Sequence, residues 1–139
     1  MTKLFKSLTA TALATVTVAT IFGASPSFAV LNFAQLNLFN GWKYYASGTR
    51  VPTAGLDSDG LVHLRGALYQ QAGSNNKFAF TLPANMRPLK TVYVSVDMVN
   101  ANTGRLQIEP NGNTYIDATG SQSNAQSFTS LEGVVFPTN

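Results

Sequence analysis

The run Thr91-Val92-Tyr93-Val94-Ser95-Val96-Asp97-Met98-Val99 alternates apolar and polar side chains. Period two sends Val92, Val94, Val96 and Met98 to one side and Tyr93, Ser95 and Asp97 to the other. That is a β-strand with one face on a core. Working outward, the same alternation recurs. Phe78, Phe80 and Leu82 alternate with Lys77, Ala79 and Thr81, and Val62 and Leu64 alternate with His63 and Arg65. Leu106 and Ile108 alternate with Arg105, Gln107 and Glu109.

Turn chemistry separates these runs. Asp57-Ser58-Asp59-Gly60 precedes one strand, Ala72–Asn76 lies between two, and Asn102-Thr103-Gly104 is read as a turn opening another. Pro110-Asn111-Gly112-Asn113 joins Leu106–Glu109 to Thr114–Asp117 as a tight hairpin, because Asn-Gly accepts positive φ at low cost. With Gly41–Ala46 and Phe128–Phe136 added, about seven short strands follow at nearly regular spacing, the pattern of an antiparallel sandwich or barrel. No segment has sustained helical periodicity, and no internal repeat is present.

The first 29 residues stand apart. Lys3 and Lys6 are followed by the uncharged, Ala/Thr/Val-rich stretch Leu8–Phe22, a Ser25-Pro26 break, and small residues at Ser27 and Ala29. This is the layout of a secretory signal peptide cleaved after Ala29. The stretch falls short of the roughly 20 apolar residues that span a bilayer, so no stable membrane insertion is expected after cleavage. The expected organisation is a signal peptide over 1–29, a short lead-in over 30–39 and one β-sandwich domain over 40–139. The expected location is outside the cell or in the periplasm.

Removing the leader changes the charge balance. Seven Lys and Arg then face six Asp and Glu, so the basic character of the whole chain resides largely in the leader and does not argue for a nucleic-acid partner. Cysteine is absent, so stability is expected from packing within or between subunits rather than from disulfides. Asn and Gln outnumber the charged side chains of the exported portion, giving a surface that depends little on charge.

No catalytic constellation emerges. His63 is the single histidine, and no acidic or histidine partner is evident beside it. Asp57-Ser58-Asp59-Gly60 has the look of a calcium loop, yet the further oxygen ligands do not follow, and it is read as a turn. Gly-x-Ser-x-Gly, a close catalytic carboxylate pair and a phosphate-binding glycine loop are all missing. The expectation is therefore no catalytic residue, no metal and no cofactor: a protein that is not an enzyme. Among aromatics, Trp42 and Tyr44 share a strand face and are read as core or subunit contact. Tyr45, on the opposite face, is a candidate to stack on a sugar. Tyr69 and Gln70 lie at a strand end and are candidates to join it.

The order of short motifs carries a resemblance. It runs Asn40-Gly41-Trp42 with Tyr44, Val51-Pro52, Asp59-Gly60-Leu61-Val62-His63-Leu64-Arg65-Gly66 and Phe80-Thr81-Leu82-Pro83. It continues with Arg87-Pro88, Gly104-Arg105-Leu106-Gln107-Ile108, Pro110-Asn111-Gly112 and Ser130-Leu131-Glu132-Gly133-Val134-Val135-Phe136. From Asn40 to Phe136 the chain resembles the β-sandwich head of phage tail-fibre and baseplate receptor-binding proteins, found also in some bacterial surface proteins. The resemblance implies an antiparallel jelly-roll-like β-sandwich, usually trimeric, that recognises cell-surface material. The leader points to a bacterial protein using such a module outside the cell.

Val134 and Val135 are adjacent apolar residues that cannot share one strand face, which makes both candidates for a subunit interface. The expectation is a secreted homotrimer that recognises surface or extracellular glycans. The alternative is a structural protein that assembles itself into an extracellular fibre or surface layer.

Overall fold

The computed structural model describes residues 31–139, and the expected signal peptide lies outside the described residues. Among the described residues eleven strands form two antiparallel sheets that face each other as a nearly closed, jelly-roll-like sandwich. The first strands are β1 (Ala34–Gln35), β2 (Trp42–Tyr44), β3 (Thr53–Leu56), β4 (Leu61–Arg65), β5 (Ala67–Gln70) and β6 (Phe78–Thr81). Then come β7 (Val92–Met98), β8 (Asn102–Ile108), β9 (Asn113–Ala118), β10 (Thr129–Ser130) and β11 (Val135–Pro137). The smaller sheet has the order β1-β3-β4-β11 and the larger the order β2-β5-β10-β7-β8-β9-β6.

The opening alternation is realised in β7. Val96 and Met98 are buried, Val92 and Val94 pack against the core, and Tyr93, Ser95 and Asp97 are exposed. From the partner strands Leu106, Ile108 and Ile116 meet Val62, Leu64 and Phe136 of the other sheet within one cluster that also holds Phe80, Leu68 and Leu131. Each such side chain contributes about 1.5–3 kcal/mol by leaving water. The Pro110–Asn113 hairpin forms as read: Gly112 has φ 89°, its N–H donates to the Glu109 carbonyl at 2.8 Å, and Glu109 N–H donates to Asn113 at 2.9 Å.

Four local readings are corrected. The β7–β8 turn is Val99–Ala101, with Asn100 and Ala101 at positive φ, and Asn102 already begins β8. Gly104 sits mid-strand because the chain comes too close for a side chain. An added Cβ would lie 2.1 Å from Met98 Cε and 2.3 Å from the Asp117 carbonyl oxygen. Phe128–Phe136 is not one strand but two in different sheets, parted by a turn in which Val134 N–H donates to the Leu131 carbonyl. A six-residue helix, α1 (Gln122–Ser127), buries Ala125 where no helix was expected. Finally, a register shift between Phe78 and Phe80 breaks the alternation of β6, so Ala79 and Phe80 are both buried while Phe78 turns outward.

The lead-in is built into the sandwich. β1 pairs with β3, Leu36 is buried and Leu38 bridges to Phe80. Phe33 lies against Gly55, and the Arg65 guanidinium covers its ring at 3.7 Å. Among the described residues no helix is long and apolar enough to cross a membrane.

Candidate functional site

The edge of the larger sheet carries the residues of interest. β2 and β5 pair with Trp42 opposite Gln70, Lys43 opposite Tyr69 and Tyr44 opposite Leu68. Period two then divides them: Trp42, Gln70 and Leu68 face inward and are buried, while Lys43 and Tyr69 face outward. Tyr45 follows on the outward side, its N–H donating to the Ala67 carbonyl at 3.0 Å. Its ring stands edge-on to Tyr69, with centroids 6.3 Å apart, and edge-on to Phe128, with centroids 5.1 Å apart. Tyr44 is half-buried and spends its hydroxyl on the Thr49 carbonyl.

Two shallow depressions flank Tyr69. One, of about 350 Å³, is walled by Tyr44, Tyr45 and Tyr69 with Ser47 and Ser127. The other, of about 360 Å³, runs from Tyr69 past Gln71 and Ser74 to Ser123, Gln126 and Ser127. Tyr69 and Ser127 line both, so an aromatic wall and an amide and hydroxyl wall share an edge. Such a surface can stack a ring on one side and exchange hydrogen bonds with hydroxyl groups on the other.

Tyr45 and Tyr69 thus come together, and Gln70 lies behind them rather than beside them. Gln70 Nε2 donates to the carbonyls of Asn40 (3.0 Å) and Asn76 (2.7 Å), and its Oε1 accepts from Gln126 Nε2 at 3.1 Å. With both amide hydrogens and the oxygen engaged, it holds the surface in place. Trp42 Nε1 donates to the same Asn76 carbonyl at 2.9 Å, and Gln126 also donates to the Ser74 carbonyl at 3.0 Å. The loop from Ala72 to Asn76 is therefore clamped from three sides. Gln126 was not singled out from sequence, and Ser127 was weighed only as one of many hydroxyls; they stand on the short helix that carried no periodic signal.

The valine pair divides as two faces require. Val134 is 3% exposed and belongs to the protomer's own core, whereas Val135 is 41% exposed on the smaller sheet opposite His63. His63 does have an acidic partner. Its Nε2 lies 2.7 Å from Asp57 Oδ2 across the β3–β4 turn, while Asp57 Oδ1 accepts the N–H groups of Asp59 (2.9 Å) and Leu61 (2.8 Å). The hydrogen bond from His63, then that from Leu61, holds the Asp57 carboxyl below its ordinary range. Asp57 is thus a turn residue with both carboxylate oxygens engaged within the turn. Among the described residues no group of three or more His, Cys, Asp or Glu side chains is placed to hold a metal.

No family model matches the chain, and no curated protein matches it. Among solved structures the chain is similar to the receptor binding protein (gp15) of Listeria phage PSA, with a TM-score of 0.64 and 20% identity. The match covers 78% of this chain and 66% of that one, so the chain spans just under two thirds of that protein's length. Likeness at that identity is a likeness of fold. The resemblance read from Asn40 to Phe136 holds at that level: this chain shares its fold with a phage receptor-binding protein.

Proposed function

We propose that the protein is an exported recognition module that binds cell-surface or extracellular glycans without transforming them, as an assembly of identical chains, with three copies expected. The observation that carries the reading is the shared edge at Tyr69, where Tyr45 and Tyr69 offer ring faces and edges beside the Gln126 and Ser127 polar groups. A fold shared with a receptor binding protein supports recognition as its use. Several copies presented together would raise the avidity of individually weak sites.

The test is an immobilised-glycan array probed with purified protein. Saturable binding to a restricted set of glycans, with at least one of them lost in both Tyr45→Ala and Tyr69→Ala, is the expected result; uniform failure to bind, or binding that neither substitution changes, overturns the reading. Export is checked separately, since mass spectrometry of secreted material should find an N-terminus at Val30.

One observation favours self-assembly as the second reading. Val135 leaves an apolar side chain in solvent on the smaller sheet. Filaments or sheets forming without added glycan, and lost in Val135→Lys, would favour that reading.

A further inference from the structure

We propose that the outer face of the larger sheet is a second, separate carbohydrate platform, made for a linear neutral polysaccharide laid across the strands. The register places Phe78 of β6 opposite Tyr115 of β9, Tyr115 opposite Gln107 of β8, and Gln107 opposite Tyr93 of β7. These side chains form one row across four neighbouring strands. Phe39 extends it beyond β6, stacked on Phe78 with centroids 5.6 Å apart and planes 22° from parallel. Phe78 and Tyr115 are again 5.6 Å apart. Tyr93 lies two strand spacings further, about 10 Å, with Gln107 between.

The row is kept out of the core although its residues are apolar. Tyr93 is 59% exposed and Phe39 43%, and the β6 bulge turns Phe78 outward where simple alternation would bury it. Phe39 and Tyr93 are exposed and Phe78 and Tyr115 half-buried between them, so apolar surface runs along the sheet in a line, and contiguous exposed apolar surface marks interaction sites.

The flanks decide the ligand. On one side Thr81 donates to Asn113 Oδ1 at 3.0 Å, with Glu109 in the β8–β9 turn beside it. On the other, Lys77, Arg105, Asp117 and Ser95 surround an open depression of about 610 Å³. The apolar strip is therefore one side chain wide and bordered by hydrogen-bonding groups, and at its Tyr93 end the Arg105 guanidinium lies over the ring, 5.0 Å from its centroid, so a sugar there meets the uncovered part of the ring. The apolar face of a sugar ring and the hydroxyls around its rim fit that layout, whereas the centre of a protein–protein interface is a broader patch depleted of charge. Nucleic acid would also stack on such a row, but it needs a basic track for its phosphates. Here Lys77 Nζ (2.5 Å) and Arg105 (3.5 Å) share the single carboxylate of Asp117, and with Glu109 and Asp97 on the same face no net positive charge remains. The length of the row calls for several linked sugar rings rather than one.

The platform is independent of the Tyr45–Tyr69 surface, and one experiment separates them. Purified protein is run by affinity electrophoresis through native gels containing soluble β-glucan, mannan or xylan, beside a Phe39→Ala/Tyr93→Ala variant and a Tyr45→Ala variant. Both truncated rings of the double variant are exposed, so it should fold with only a small fall in melting temperature from the lost Phe39–Phe78 stack. Retardation of wild type by at least one polysaccharide is expected, weakened about tenfold or more in the double variant and kept in Tyr45→Ala. The proposal is overturned if none of the three retards the protein, or if the double variant is retarded like wild type. It is also overturned if light scattering shows that the double variant has lost an oligomer, since the row then lies between copies. Retardation lost only in Tyr45→Ala would refute the platform and leave the first surface standing.

Discussion

Tyr45 meets Phe128 edge-to-face, with ring planes inclined at 82° and centroids 5.1 Å apart. Phe128 immediately precedes β10, the strand seated between β5 and β7, so a rigid element backs the one tyrosine that follows the β2 edge. Phe128→Ala removes this support. An aromatic pair of this kind contributes about 0.5–1.5 kcal/mol beyond its buried area. The expected outcome is several-fold weaker glycan binding with a small fall in melting temperature, read by calorimetry on both quantities. Unchanged affinity would mean that Tyr45 needs no backing.

Gln70 is the second test. Its buried amide satisfies two carbonyls and receives Gln126, so Gln70→Ala strands the Asn40 acceptor, leaves Asn76 to Trp42 alone and loosens the Ala72–Asn76 loop. The cost is about 1–3 kcal/mol of folding free energy, measured by urea denaturation. Gln71→Ala, one residue on and exposed, should leave stability unchanged. Equal stability of Gln70→Ala and wild type would show that the network adds nothing.

The valine pair separates folding from assembly. Val134→Lys places a charge in the protomer's own core and should abolish cooperative folding. Val135→Lys alters only an exposed position and should fold normally while weakening contact between copies. Circular dichroism reads the first effect and light scattering the second. A Val135→Lys protein with wild-type mass at every concentration would remove Val135 from any interface.

Acid should loosen the β3–β4 turn. Asp57 is held below the ordinary carboxyl value of 3.8 by His63 and by the Leu61 and Asp59 N–H groups, so folding favours its charged form. That contribution is complete above the ordinary value and is lost as pH falls through the lowered, folded-state value. Asp117 is lowered likewise, by Lys77 first and Arg105 after it, and titrates in the same direction. Melting temperature should therefore fall below about pH 4, and Asp57→Asn should flatten part of that fall while Asp117 keeps the rest. An Asp57→Asn profile parallel to wild type would show that the turn carboxylate is not coupled to folding.

What was legible in the sequence follows from how each signal is encoded. β7 and β8 could be read because a one-sided strand writes its burial in alternate letters, and the β8–β9 hairpin because Asn111-Gly112 names its own turn. The outward turn of Phe78 was hidden, since a bulge shifts register without changing the letters. Gly104 was misread because close approach to Met98 and positive φ both select glycine. α1 is too short for a period and buries one alanine. Tyr45 was legible as lying opposite Trp42 and Tyr44, and Tyr69 as lying at a strand end, but that their strands pair and bring the two rings together was not, because pairing of β2 with β5 is a long-range contact. Gln126 was missed because its partners, Gln70 and Ser74, lie more than 50 residues away.

The most direct measurement is an isothermal titration of wild type and Tyr69→Ala with the array glycan whose binding Tyr45→Ala loses. Tyr69 supplies the ring common to both depressions, and it is only half-buried. Recognition at this surface predicts saturable binding by wild type, weakened about tenfold or more in Tyr69→Ala at an unchanged melting temperature. Equal affinity in the two proteins would contradict it.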